Sequence, residues 1–319
     1  MSAVSPFIVP AAQPPSISIL GRQYMRVADW AQKSSLQVRW LKQDETLEAF
    51  NSRIKIHLRV NSSEADVNGV SVRLLFPVAV HNGAPCVTLL DAEHTFRPVL
   101  FPPLNRSGVK VKTICIDPGH GGSDPGNKNG GREEKQLTLL LAQELSSQLS
   151  KAGFKVSLTR TSDKKIELPM RPELAKRRGA DLFVSLHFNA FSERTVQGTE
   201  VYCLTPAGAP SSNARGEGAG AGSFAGNRLN DKNMFLAYQM QRSLTKNLAV
   251  EDRGLHRARF WVLRDATMPA VLIEGGFLSH PTEGKKITDP AYRRQMARAI
   301  VEAIVAYKRQ VELGGKGKG

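Results

Sequence analysis

The sequence predicts an α/β protein: a twisted, mostly parallel sheet flanked by helices, preceded by a small α+β accessory domain. Three observations carry this reading. The runs at 114–116, 182–186 and 271–273 are apolar without strict alternation, as in strands buried on both faces. Leu137, Leu140, Leu141, Leu145 and Leu149, and later Met296, Ile300, Ala303, Ile304 and Tyr307, recur at helical spacing. Residues 17–100 instead alternate over short segments broken by Asn-Gly pairs, the pattern of hairpins.

Taken in order, residues 1–16 are rich in Pro and Ala and are expected as a mobile arm. A helix is expected over 24–35 and strands over 36–41 and 53–60. Val67-Asn68-Gly69-Val70 signals a two-residue hairpin, and Asn82-Gly83 after the run 76–80 signals another. This accessory domain spans 17–100. The prolines before Gly108 mark a linker, placed at 101–108.

The second domain is placed at 109–312, with a basic flexible tail at 313–319. Val109, Val111, Ile114 and Ile116 lead a strand into Asp117-Pro118-Gly119-His120-Gly121-Gly122, which presents His120 on a loop of small residues. The leucine helix follows within 130–154, with Gly153 as its C-terminal cap. Glu133 and Glu134 fall at its start, where the helix dipole alone favours carboxylates. A strand at 154–160 precedes a short helix at 171–180, whose Arg171, Lys176, Arg177 and Arg178 read as an exposed face. The strand at 181–190 carries His187 towards its end. After a strand at 198–204, residues 205–231 are Gly-, Ala- and Ser-rich without period and are expected as a surface loop. A helix at 233–250, a strand at 269–279 ending in Glu274-Gly275-Gly276, and a helix at 290–310 complete the chain.

Composition bounds the function. Of 319 residues, 41% are apolar and 23% charged, which excludes wholesale disorder. The net charge of +15 is uneven: residues 1–105 carry 10 Lys and Arg against 8 Asp and Glu, the remainder 34 against 21. No helix-turn-helix, zinc-finger spacing or aromatic-basic signature accompanies the basic half, so no nucleic-acid partner is expected. Cys86, Cys115 and Cys203 are odd in number and widely spaced, so no disulfide framework is indicated; Cys115 reads as a buried small hydrophobe. No apolar run is long enough to span a membrane, and the first residues lack the features of a complete signal peptide. His57, His81 and His94 show no ligand spacing.

His120, His187 and Glu274 thus fall at the ends of three strands, and a βαβ order gathers such ends on one edge of a sheet. Glu134 adds a carboxylate from a helix start. Two imidazoles and one carboxylate with a fourth position open make the usual site for a catalytic zinc ion. Glu274, between Ile273 and two glycines, is costly to bury without a partner.

Four motifs occur in order: IDPGHGG from Ile116, REEK from Arg132, SLHFNA from Ser185 and PAVLIEGGFLS from Pro269. With them, residues 111–310 resemble the zinc-dependent N-acetylmuramoyl-L-alanine amidases of the bacterial cell wall. The resemblance implies Zn2+ held by His120, Glu134 and His187, with Glu274 as catalytic acid and base. Glu134 is matched rather than Glu133 because it directly precedes Lys135. The implied reaction cuts the amide between N-acetylmuramic acid and L-alanine in peptidoglycan, for wall remodelling or daughter-cell separation, in the periplasm or outside the cell. Phe188 stands where the family usually has alanine and Gly275 where a larger residue is common; both are expected beside the site, narrowing or loosening its groove. Residues 205–231 fall where some relatives carry a helix that plugs the site, and their glycines disfavour such a helix. Residues 17–100 resemble the N-terminal domain of copper amine oxidases, which is also attached to bacterial envelope enzymes. That implies an accessory role, with a wall ligand or an envelope regulator as partner, and no copper chemistry. Two other readings stand beside this one: a zinc peptidase acting within the stem peptide, and a non-catalytic wall-binding protein on the same scaffold.

Overall fold

The computed structural model describes residues 16–212 and 222–313. The expected arm before Ser16, the tail after Leu313 and the centre of the Gly-rich stretch lie outside the described residues. The chain opens with β1 (Ile17–Ile19), β2 (Arg22–Arg26) and α1 (Val27–Lys33), then β3 (Gln37–Lys42), β4 (Thr46–Phe50), β5 (Lys55–Arg59), β6 (Glu64–Val67), β7 (Val70–Arg73), β8 (Ala79–His81) and β9 (Ala84–Thr88). Both Asn-Gly pairs make the hairpins expected of them. Asn68 and Gly69 have φ of 52° and 77°, and Asn82 and Gly83 have 48° and 75°, the left-handed pair a tight hairpin turn needs. Strand β4 was not legible as a strand. Its central Glu48 is buried, held by Arg39 and His57, and this interrupts the apolar pattern.

Short helices α2 (Leu89–Asp91) and α3 (Arg97–Leu100) flank a π-helical stretch, Ala92–Phe96. Residues 101–108 form no helix or strand, as their prolines dictate. Then come β10 (Thr113–Pro118), the small ribbon β11 (Lys128–Asn129) and β12 (Arg132–Glu133), α4 (Glu134–Lys151), β13 (Lys155–Leu158), α5 (Met170–Arg177), β14 (Leu182–Asn189) and β15 (Thr199–Leu204). The chain ends with α6 (Asn230–Leu248), β16 (Asp252–Ala258), α7 (Trp261–Arg264), β17 (Ala270–Phe277), α8 (Glu283–Thr288) and α9 (Pro290–Val311).

The aperiodic reading of 205–231 fails at its C-terminal end. There Ala225–Leu229 form a 3-10 turn and α6 starts at Asn230. The Asn227 side chain accepts from Phe224 N–H and donates to the Thr205 carbonyl, which anchors that turn. Gly226 packs so closely on the Leu263 carbonyl that a Cβ would stand 2.5 Å away.

The large sheet has the order β13-β10-β14-β17-β15-β16-β7-β6-β5-β4-β3. Strands β13, β10, β14 and β17 are mutually parallel; β15 runs antiparallel to β17, and β16 runs with β15. Helices α4, α6 and α9 pack together on one face, over Ile114, Val184, Leu186 and Ile273. Leu140, expected in the α4 stripe, is 42% exposed and sits off that packed face. The opposite face buries Cys115, Phe183 and Leu272 with residues from α5 and α7.

The accessory strands extend this sheet. Strand β7 runs parallel to β16 with Val72 opposite Leu255, and Ser71 N–H donates to the Asp252 carboxylate at 2.8 Å. Beyond it β6, β5, β4 and β3 continue as an antiparallel meander, while β1, β2, β9 and β8 form a separate small sheet. One apolar core runs through both parts, from Trp30, Leu47 and Ile56 to Leu141 and Ile300. Buried Arg257 of β16 ties them further, donating to the His94 carbonyl.

Candidate metal centre

The site is built on the abrupt end of β10. Gly119 N–H still donates to the Leu186 carbonyl of β14, and the next residue, His120, turns into the left-handed region at φ 61°. For a residue with a side chain this conformation costs roughly 1–2 kcal/mol, so the surroundings must enforce it. Two buried arginines do so. Arg171 donates to the carbonyls of Pro118 and His120, each at 2.9 Å, and Arg160 to those of Pro118 and Gly119 at 3.0 and 2.8 Å. Arg171 also pairs with Asp117 at 2.8 Å, and that fully buried carboxylate accepts from Thr159 and Ser185 as well. Arg171 was expected on an exposed face but is only 3% exposed. The reason is Asp117, whose buried charge needs a cation.

His120 and Glu134 meet across this loop. The His120 Nδ1 lies 2.8 Å from Asp124 Oδ2, leaving Nε2 3.2 Å from Glu134 Oε2. Glu134 is buried at the first turn of α4, while Glu133 faces Lys128 and Lys135. Backbone N–H groups fix the Glu134 carboxylate: Phe188 donates to Oε1 at 3.0 Å and Asn127 to Oε2 at 2.9 Å. His187, on β14, brings Nδ1 to 3.0 Å from Glu134 Oε1, with its ring 4.9 Å from that of His120 and nearly perpendicular to it.

Ligand atoms of His120, Glu134 and His187 all lie within 4.8 Å of one another. Two glycines make this approach feasible. A Cβ on Gly119 would stand 2.3 Å from the His187 ring, and one on Gly126 would stand 2.6 Å from both Glu134 Oε2 and His120 Cδ2. Burial would raise the Glu134 pKa, yet the two imidazoles outweigh it and hold the carboxyl well below the usual range. Burial likewise works against protonated His120, but Glu134 and then Asp124 raise its pKa above the ordinary value. Two imidazoles and an ionised carboxylate converge here, with His120 held by Asp124 and Glu134 by backbone N–H groups, a set that fits a divalent metal such as zinc.

Glu274 sits on β17 opposite His187 on one side and Glu200 on the other. Its Oε2 is buried without a hydrogen-bond partner among the described residues, and burial, followed by the charges of Glu134 and Glu200, pushes its pKa well above the usual carboxylate range. Glu200 is fully engaged, accepting from the Tyr202 hydroxyl and from Arg253 Nε, each at 2.7 Å. A cavity of about 410 Å³ opens over Glu274 and continues along these residues.

Phe188 and Gly275 do not border this cavity. Strand alternation turns Phe188 away from His187 into the core, where it is 2% exposed, and Gly275 is buried beside it. The expectation that they shape the groove is therefore corrected.

Sequence reasoning singled out His120, Glu134, His187 and Glu274, which the fold brings to neighbouring positions, and missed their supports. Asp124 was readable in principle, four residues after His120 and just past the IDPGHGG motif. Arg160, Arg171, Glu200 and Arg253 carry no local signal, because their partners lie on other strands.

Fold and site together define an α/β protein whose sheet carries, at its strand ends, a His-Glu-His group that could hold a metal ion. The chain belongs to the N-acetylmuramoyl-L-alanine amidase family: residues 114–306 match Amidase_3. It is 37% identical over 229 residues to the amidase AmiC of Neisseria meningitidis, covering 65% of this chain and 55% of that protein. It is 32% identical over 230 residues to AmiA of Escherichia coli, covering 65% of this chain and 79% of that one. Against the N-acetylmuramoyl-L-alanine amidase structure from Clostridium difficile 630 the TM-score is 0.53 at 35% identity, over 66% of this chain and 100% of that one. AmiC2 of Nostoc punctiforme gives 0.53 at 31%, over 64% and 99%. This chain thus spans little more than half the length of the meningococcal protein.

Proposed function

We propose that the protein is a zinc-dependent cell-wall hydrolase that cuts the amide between N-acetylmuramic acid and L-alanine in peptidoglycan. The reading places it in the periplasm or outside the cell; among the described residues no helix is long and apolar enough to cross a membrane. The observation that carries the reading is the convergence of His120, Glu134 and His187 beside the unpartnered Oε2 of Glu274.

When bound, zinc supplies a Lewis acid for the scissile carbonyl and lowers the pKa of water towards about 7. His120, Glu134 and His187 would hold the ion, and Asp124 orients His120 from behind. Glu274 accepts the proton of the attacking water on Oε2 and returns it to the amine of L-alanine as that group leaves. A carboxyl with a raised pKa suits both halves of this task near neutral pH. The basic surplus after residue 105 favours an anionic envelope polymer. In this reading the accessory module engages the wall or an envelope regulator.

Digestion of purified peptidoglycan with and without a chelator, followed by mass spectrometry, tests the reading. Intact stem peptides and peptide-free glycan are expected, released only with metal present. Cuts within the stem would establish the peptidase instead, and no release at all the wall-binding protein. Glu274→Gln should retain zinc and lose nearly all hydrolysis, whereas His187→Ala should lose both. Near-wild-type turnover by metal-loaded Glu274→Gln would sink the acid-base assignment.

A further inference from the structure

We propose that the cavity beside Glu274 is a subsite for a carboxylate on the amine side of the scissile amide, and that Arg253 reads it. The proposal rests on the amidase reading above and specifies what its substrate must carry.

Across the sheet the strands run β10, β14, β17, β15, β16, carrying in turn His120, His187, Glu274, Glu200 and Arg253. Glu274 returns its proton to the leaving amine, so the amine side of the substrate lies over β17 and beyond it, away from the metal ligands. Neighbouring strands are about 4.8 Å apart, which puts Arg253 two strands, about 10 Å, past Glu274. That is the reach of the residue following the one whose amine leaves. The cavity joins Glu274 to Arg253, and Arg253 is the only basic residue on its lining among the described residues. Phe191, Val196, Phe260 and Phe277 give its apolar wall, and Asn189, Tyr202, Glu200 and Glu274 line the rest.

Arg253 is aimed there by a built device. The register of β15 against β16 shifts between Thr199 and Val201, so Arg253 and Gly254 together face Glu200 in a bulge. Bulges re-aim side chains and are common beside active sites. Gly198 gives way to the same side chain, since a Cβ there would stand 2.8 Å from Arg253 Cγ. Once aimed, the guanidinium is held from three directions. Glu200 takes Nε, the Glu251 carboxylate lies 3.7 Å from Nη1, and the Phe277 ring lies 5.1 Å from Cζ. The side chain stays 33% exposed, so its outer edge is open to the cavity. A guanidinium held this way offers a preorganised edge to a carboxylate, a geometry a lysine does not reproduce.

The competing explanation is that Arg253 only neutralises buried Glu200. Two synthetic muramoyl tetrapeptides separate the two, identical except after L-alanine, with D-glutamate in one and D-isoglutamine in the other. The zinc-loaded wild-type protein should show a KM about tenfold lower for the carboxylate form, the scale of one charge-assisted bond. In Arg253→Gln the ratio of kcat/KM between the two substrates should collapse towards one, and in Arg253→Lys it should fall partway. Thermal melts establish that each variant is folded. Should Arg253→Gln fail to fold, the wild-type pair and Arg253→Lys decide. Equal KM values in the wild type, or a preference that survives in folded Arg253→Gln, would overturn the subsite while leaving the amidase reading intact. Cleavage of neither substrate would instead sink the amidase reading, and the subsite with it.

Discussion

Phe188 and Gly275 are a matched pair on neighbouring strands: the Phe188 Cε1 stands 3.0 Å from where a Cβ on Gly275 would be. The Met296 Sδ closes the same space at 3.0 Å. The ring therefore occupies volume that a side chain at 275 would need, on the face of the sheet turned from the metal. Gly275→Ala should destabilise the fold by about 1–3 kcal/mol through overpacking. In a Phe188→Ala background the same change should cost less, with a coupling of about 1 kcal/mol in a double-mutant cycle by urea denaturation. Additive costs would disprove the pairing.

The raised pKa of His120 predicts opposite pH responses for metal binding and for metal-free stability. Protons compete with the ion for His120, so affinity should fall as pH drops through a value above the ordinary 6.5. Metal-free protein should respond the other way. A histidine whose folded pKa is raised contributes stability fully present below its unfolded value and lost as pH rises through its folded one. Glu274, also raised, acts in the same sense. Competition with a chromophoric chelator and metal-free melts, both followed from pH 8 downwards, check this about the window of the ordinary histidine value. Asp124→Asn removes one of the contributions that raise His120, and should move the affinity midpoint to lower pH.

Gly119→Ala should displace the His187 ring, since its Cβ would stand 2.3 Å from that ring. Supporting-shell changes at metal sites typically cost about 10–100-fold in affinity. Metal titration of the folded variant measures the loss, and unchanged affinity would mean that the loop yields instead of the imidazole.

Arg171→Met should be among the most destabilising single changes, because it strands the fully buried Asp117. Breaking a buried pair from one side costs about 3–5 kcal/mol. Asp117→Asn combined with Arg171→Met should recover part of it, and denaturation midpoints of the single and double variants provide the comparison.

What was legible in the sequence follows from the range of the interactions involved. His120, His187 and Glu274 break apolar runs or stand beside glycines, so local rules expose them, whereas the helix dipole alone accounts for Glu134 and only its REEK motif singles it out. The Asn-Gly hairpins are likewise local. Arg171 misled because its helix is short and rich in cations, and only the fold brings Asp117 beneath it. Phe188 misled because proximity to His187 in sequence hides the alternation that sends it to the other face. Strand β4 was masked by a buried glutamate, and the pairing of β7 with β16 joins residues too far apart in the chain for any periodicity to reveal.

That last pairing changes what the first hundred residues are for. A module on a loose linker works as a leash, and the bonds its enzyme can reach are set by the length of the slack. Here strand β7 is three steps across one sheet from β17, about 14 Å at ordinary strand spacing. The accessory strands are therefore held at a fixed bearing from Glu274, like the far mark on a ruler whose length is written in strand count.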